Sequence, residues 1–250
     1  MLLGPTVVLA QSTDLIDCRD LGDRGIAFET LWAQRFSSLD SVAGAGDVNG
    51  DGFSDLLFSG IKNAEGDPPF ALLVLGRGGF EGRHALTPAL PDTVVFRYSG
   101  AIRYQDFRVF GPAGDLDGDG LDDLLLGLPY YPSDANETAG RAYVIYGSRD
   151  FPPEIVLEDV GTSRRGVVFT STDPYHDGIG KSALSPGDVD GDGVLDLVVG
   201  APHSTNFKGQ VLAGVIFVLT GVDGLPATVD LARVGDGLPG VEFHGNPEVL

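Results

Sequence analysis

The chain has little of what holds small modules together covalently, and little of what draws a protein to nucleic acid. Its single cysteine, Cys18, excludes an intrachain disulfide, so the core must rest on packing and on whatever ions the sequence can recruit. Lysine occurs only at Lys62, Lys181 and Lys208, and Arg164-Arg165 is the one pair of adjacent basic residues, against a formal net charge of −20. Phosphate backbones are held by clustered Lys and Arg, so nucleic acid is excluded as a partner. No apolar run approaches the ~20 residues that span a bilayer. The longest, from Val211 to Val222, is broken by Gly214, Thr220 and Gly221 and reads as one or two buried strands, so no membrane insertion is expected in this segment. Catalytic signatures are missing as well: there is no G-x-S-x-G and no H-E-x-x-H. His84, His176, His203 and His244 stand outside any such pattern; His176 has Asp173, Asp177 and Ser182 nearby, and His203 directly follows Gly200-Ala201-Pro202. Each reads as a solvated loop residue, and the chain is expected not to be an enzyme.

What the sequence does have is one acidic loop written three times. Asp47-Val48-Asn49-Gly50-Asp51-Gly52-Phe53-Ser54-Asp55 returns as residues 115 to 123 and again as 188 to 196. Oxygen-bearing side chains stand at positions one, three, five and nine: Asp47, Asn49, Asp51 and Asp55; Asp115, Asp117, Asp119 and Asp123; Asp188, Asp190, Asp192 and Asp196. A hard cation such as calcium takes six to eight oxygens at about 2.3 to 2.6 Å, so alternate residues of a tight curl must point inward. The carbonyls of Phe53, Leu121 and Val194, at position seven, would complete each shell, and glycine at positions four and six allows the curl. Position twelve, where an EF-hand needs a bidentate Glu, is Phe58, Leu126 and Val199. Each loop instead runs into a short apolar segment bounded by glycine, which reads as a buried strand. An ordinary Asp-Gly turn explains one copy, but not three in the same register. Three Ca2+ sites are expected, and three divalent ions would offset part of the acidity.

A second mark keeps the same beat. Gly25-Ile26-Ala27-Phe28 recurs as Thr93-Val94-Val95-Phe96, Gly166-Val167-Val168-Phe169 and Gly240-Val241-Glu242-Phe243. The loops begin 68 and 73 residues apart, as do the first three phenylalanines. Two marks with one period define a repeat. Each repeat reads as four strands: one with the phenylalanine, one before the loop (Ser41 to Ala43, Ser182 to Leu184), one leaving it, and a strongly apolar one (Ala71 to Leu75, Ala142 to Tyr146, Val211 to Leu219). The expected fold is all-β, a β-propeller of four-stranded antiparallel blades, incomplete at about three and a half repeats. Residues 1–12 read as the last strand of a preceding repeat, because Gly4 to Ser12 parallels Gly140 to Ser148; a signal peptide is the alternative. Repeats then cover 13–84, 85–150 and 151–224, and 225–250 begins a fourth. The remainder of the propeller is expected in sequence beyond this segment.

The order Gly-Asp-x-[Asn/Asp]-Gly-Asp-Gly-x-x-Asp, then an apolar run, then Gly200-Ala201-Pro202, resembles the FG-GAP repeat of integrin α-subunit propellers and their bacterial relatives. The third copy is nearest, with Ile179-Gly180 in the FG position. Gly127-Leu128-Pro129 keeps two residues of the GAP, Ser59-Gly60 hardly any, and Phe110-Gly111 falls too near its loop to be an in-register FG. The resemblance implies a calcium-stabilised propeller that binds partners through loops and serves adhesion, at the cell surface or outside the cell. A protein or glycan ligand would meet the inter-blade loops at Ala64 to Pro69, Tyr130 to Thr138 and His203 to Lys208. Tyr130-Tyr131 would suit a glycan, and Trp32 is expected between blades. The alternative is a calcium-decorated propeller within a secreted polysaccharide- or lipid-degrading enzyme.

Overall fold

The computed structural model describes residues 7–10, 25–29, 38–61, 70–79, 82–85, 92–99, 107–129, 139–205 and 213–245. Among the described residues every regular element is a strand or a short 3-10 turn, and no helix is long and apolar enough to cross a membrane. Cys18, Trp32, 64–69, 130–138 and 206–208 lie outside them.

Four sheets follow one another. The first joins β1 (Val7–Ala10), β2 (Gly25–Glu29) and β6 (Gly82–Ala85). The second contains β3 (Ser38–Gly46), β4 (Asp55–Ile61), β5 (Phe70–Val74) and β7 (Thr93–Arg97), with β11 (Glu154–Val156) at its edge. In the third, β8 (Arg108–Val109), β9 (Leu124–Leu128), β10 (Arg141–Ile145) and β12 (Gly166–Thr170) are joined by β16 (Thr228–Asp230). The fourth is β13 (Ser182–Gly187), β14 (Asp196–Ala201), β15 (Val215–Leu219) and β17 (Gly240–His244). Among the described residues this is an all-β succession of sheets of three to five strands, mainly antiparallel and not closed into a ring.

One expectation is corrected. The strand that carries the phenylalanine does not open the sheet of the repeat it introduces; it closes the sheet before it. Phe96 lies opposite Ala71, Phe169 opposite Ala142 and Phe243 opposite Ile216, so the sequence period and the sheet are one strand out of phase. A spacing argument cannot detect this, because a shift of phase leaves every period unchanged. The chain also spends an extra strand between the third and fourth strands of the second, third and fourth sheets. β6, β11 and β16 each cross back to pair in parallel with the closing strand of the preceding sheet. Neighbouring sheets are thereby strapped together, and an outer edge that would otherwise present free backbone groups is covered.

Packing between sheets explains the apolar runs. Val94 and Phe96 face a core shared with Leu124, Leu126, Tyr143 and Ile145 of the next sheet. One sheet on, Val167 and Phe169 share theirs with Leu197, Val199, Phe217 and Leu219. With both faces covered, β7 and β12 are buried at four consecutive positions instead of alternating. β17 carries the same motif and alternates, because among the described residues no further sheet covers its forward face: Val241 is 53% and Phe243 58% exposed, whereas Phe96 and Phe169 are fully buried. Ile216 and Leu184 extend that apolar face.

Two glycines permit a close approach between sheets. Gly127, in the second copy's partial GAP, and Gly180, in the third copy's FG position, lie against each other so that a Cβ on Gly127 would overlap the Gly180 carbonyl. Gly180 has φ +81°, a conformation that side chains rarely adopt. The adjoining Ile179 N–H donates to the Ala139 carbonyl at 2.9 Å, so the FG segment of one blade is bonded to the preceding blade.

Candidate metal centre

Each acidic loop bridges the first two strands of a sheet: β3 to β4, β8 to β9, and β13 to β14. The glycines at positions four and six take φ between +73° and +90°, as the curl demands. Within the curl, carboxylates and backbone N–H groups bond in one repeated scheme. Gly52, Gly120 and Gly193 donate to Oδ2 of the first aspartate, Asp47, Asp115 and Asp188, at 2.9, 2.8 and 2.8 Å. The side-chain oxygen at position three, on Asn49, Asp117 or Asp190, accepts the N–H of position five at 3.0 to 3.2 Å. Asp51, Asp119 and Asp192 accept the N–H of Phe53, Leu121 and Val194 at 2.9, 3.1 and 2.8 Å. These bonds orient positions one, three and five inward and leave each carboxylate lone pairs for a further partner.

Two loops bring three acids together, with ligand atoms within 4.8 Å of one another. In loop two they are Asp115, Asp117 and Asp119; in loop three they are Asp188, Asp190 and Asp196. Loop one, with neutral Asn49 at position three, gathers no such trio among the described residues. The donors are hard oxygens without sulfur or imidazole, a set that suits calcium and not a soft transition metal. The residues present thus fit the ion that the spacing implies.

Position nine does something the sequence did not reveal. Asp55, Asp123 and Asp196 are fully buried, and each carboxylate is gripped at both oxygens by backbone. One oxygen accepts the N–H of position two: Val48 at 2.9 Å, Leu116 at 2.7 Å, Val189 at 2.7 Å. The other accepts from the glycine just beyond the third strand: Gly76 at 2.7 Å, Gly147 at 2.8 Å, Gly221 at 3.0 Å. The aspartate therefore ties its loop to a residue more than twenty positions away, and the signal in the sequence was the glycine that follows every apolar strand. Burial pushes Asp55 up to about 6 and Asp123 up to about 7, with those backbone donors acting in the opposite sense and the loop's other aspartates adding to the rise. At Asp188 the donors prevail: the N–H groups of Gly193 and Gly191 hold it below the usual carboxylate range. Asp117 is raised, by burial and then by the charge of Asp119.

The loops also touch one another. Asp122, at position eight of loop two, accepts the N–H of Asp47 at 2.8 Å and donates its own N–H to the Asp47 carbonyl at 3.1 Å. Ser148 donates to the Val48 carbonyl at 2.9 Å, so the start of loop one is bonded to the next sheet.

The histidine cluster resolves differently from its sequence neighbourhood. His176 is buried, and its Nδ1 lies 2.7 Å from Ser171 Oγ, so Ser171 and not Ser182 is its serine partner. Asp173 Oδ2 is 4.0 Å from Nε2, and the ring stands edge-on to Phe217 at 4.9 Å. Burial lowers the His176 pKa. The side chains of Ser171 and His176 are both shut away from solvent. His244 lies 3.1 Å from Glu242 at the uncovered end sheet.

The sequence of these loops and strands matches known proteins. The FG-GAP repeat model matches residues 109–145 and 182–219, which contain the second and third loops. The chain is 31% identical to integrin alpha-5 of Xenopus laevis over 143 residues, 54% of this chain and 12% of that protein. It is 34% identical to integrin alpha-PS2 of Drosophila melanogaster over 133 residues, 51% of this chain and 8% of the relative. A bovine phosphatidylinositol-glycan-specific phospholipase D is 35% identical over 109 residues, 44% of this chain and 12% of that protein. The chain thus spans only about a tenth of the length of the curated relatives it matches. It carries FG-GAP repeats, folded as consecutive blades of a β-propeller, and is homologous over about half its length to integrin α subunits.

Proposed function

We propose that this segment is a calcium-binding propeller module of the integrin α type, non-catalytic, which presents inter-blade loops to a protein or glycan ligand at the cell surface or outside the cell. The observation that carries the reading is the repeated ring of side-chain oxygens, bonded to its own backbone in the same way three times. Calcium would be held in each loop by the side chains at positions one, three and five, with position nine and the carbonyl of position seven adding to the shell. Bound there, it would convert repulsion among carboxylates into a cross-link between the first two strands of a blade. The relationship to integrin α subunits supports an adhesive role and an extracellular setting. Extracellular modules typically bind calcium at roughly 10⁻⁴ to 10⁻³ M, which matches a medium rich in the ion.

The phospholipase D relative supports a second reading, a propeller attached to a lipid-degrading enzyme. In that case too, this segment would be the calcium-stiffened part and not the source of the chemistry, in line with the burial of Ser171 and His176.

Thermal unfolding with and without calcium tests the proposal. A site with Kd of ~0.1 mM in ~1 mM calcium adds about 1.4 kcal/mol, and three sites roughly 4. In a chain of this size that corresponds to a Tm rise on the order of 10 °C. Magnesium should do much less, because it demands octahedral geometry and sheds water reluctantly. A calcium-induced shift below a degree or two would sink the proposal.

A further inference from the structure

Loop two has a contact that its neighbours lack. Arg165, at the turn into β12, lies against the loop's carboxylates, with Nη2 2.5 Å from Asp117 Oδ2 and Nη1 3.5 Å from Asp119 Oδ2. Its guanidinium also rests over the Tyr146 ring, 5.5 Å from the centroid. Both aspartates belong to the trio that converges in this loop. The Asp117 side chain is only 10% exposed, whereas that of Arg165 is 67% exposed, so the arginine sits on the loop from the solvent side.

Neither neighbour has such a contact at the matching position. Counting back from the phenylalanine of the closing strand, Asp92 stands in place of Arg165 beside loop one and Pro239 beside loop three. Asp92 is itself acidic and pairs with Arg77 at 3.2 Å. Arg149 approaches loop one, but it donates to the Gly50 carbonyl at 3.3 Å and not to a carboxylate. Among the described residues, therefore, a cation supplied by the chain itself lies on the acids of loop two alone.

Taking the loops as calcium sites, as proposed above, we infer that Arg165 is a tethered competitor for the ion in loop two, so that this loop binds calcium more weakly than loop three, which has the same four acids and no such contact. A guanidinium does not lose its charge in a protein, so it can leave the carboxylates only by being displaced. Calcium would have to share the Asp117 and Asp119 carboxylates with the guanidinium, and two cations drawing on the same pair of carboxylates repel each other. Even when displaced, the arginine remains within a side chain's length and repels a divalent ion. Loss of the ion pairs and residual repulsion together should weaken loop two by about tenfold in Kd, equivalent to about 1.4 kcal/mol.

Calorimetric titration of calcium into the full chain tests this, using the unaltered protein, Arg165→Gln, Arg165→Lys and the double variant Asp117→Ala/Asp119→Ala. The double variant should lose one site, which identifies it as loop two, and in the unaltered chain that site should be weaker than at least one other. Arg165→Gln should tighten that site by about tenfold, while Arg165→Lys, which keeps the charge, should leave it weak. Because Arg165 is exposed, neither single variant threatens the fold, and the other sites should be unchanged in both. Three equal sites in the unaltered chain, or a weak site that Arg165→Gln shifts by less than about twofold, would overturn the role of Arg165 while leaving the calcium loops standing. Absence of calcium binding in every variant would overturn the reading of the loops themselves, and this inference with it.

Discussion

In the absence of divalent ions, raising the pH from about 5 to about 7.5 should destabilise this protein, and Asp123→Asn should remove a defined part of that loss. The folded carboxylate of Asp123 is pushed up to about 7 by burial, against about 3.9 in an unfolded chain. Because the folded pKa is the higher one, the native state holds the proton more tightly throughout the interval between them. Stability from this group is therefore fully present below the unfolded value and is lost as pH rises through the folded value. Between pH 5 and 7.5 the two pKa values give a loss of about 2.5 kcal/mol from Asp123, equivalent to a fall of about 5 to 10 °C in Tm. Asp55, pushed up to about 6, adds a loss of about half that size. Asparagine cannot ionise, so the variant should lack the Asp123 share. It should also be less stable by about 1 to 3 kcal/mol at low pH, because its amide turns a donor toward the N–H of Leu116 or Gly147. The measurement is thermal unfolding in a chelator, with the two proteins compared at each pH. Their difference cancels the opposing contribution of buried His176, whose lowered pKa favours the native state as pH rises toward its unfolded value near 6.5. It also cancels the general repulsion of an acidic chain. A difference that stays constant across the range would show that Asp123 is not held in the buried, doubly bonded position described here. If the loops bind calcium, millimolar calcium at the upper pH should restore the stability of the unaltered protein and leave much less to recover in the variant.

Two further outcomes follow from the packing, both read by urea unfolding. Phe169→Ala should cost about 3 to 5 kcal/mol, because the ring is fully buried between sheets, whereas Phe243→Ala, at the same point of the motif on the open face, should cost less than about 1. Gly127→Ala should cost about 1 to 3 kcal/mol by forcing the Gly180 carbonyl away and parting the third and fourth sheets. Near-equal costs for the two phenylalanines, or a neutral Gly127→Ala, would contradict the way the blades are stacked.

The acidic loops were legible because their chemistry is local. Four oxygens and two glycines within nine residues define a curl whatever surrounds it, and the apolar run after Asp55, Asp123 or Asp196 has no plausible place except a covered strand. Period and composition likewise sufficed for an all-β repeat architecture. The phase of the sheets was not legible, because whether β7 pairs forward or backward depends on hydrogen bonds between segments far apart in the chain. The same holds for the straps β6, β11 and β16, whose pairing partners stand in another repeat. Asp123 reads from the sequence as a ligand, and only folding shows that its second oxygen also accepts the N–H of Gly147, distant in the chain. Arg165 looked like half of a basic pair, and only folding laid it on Asp117. The sequence by itself thus determined the chemistry of each loop and the rhythm of its recurrence, since both are written in neighbouring residues. Tertiary structure alone decided which backbone groups and which charges meet those carboxylates, since a long-range contact leaves no mark on the spacing of either partner.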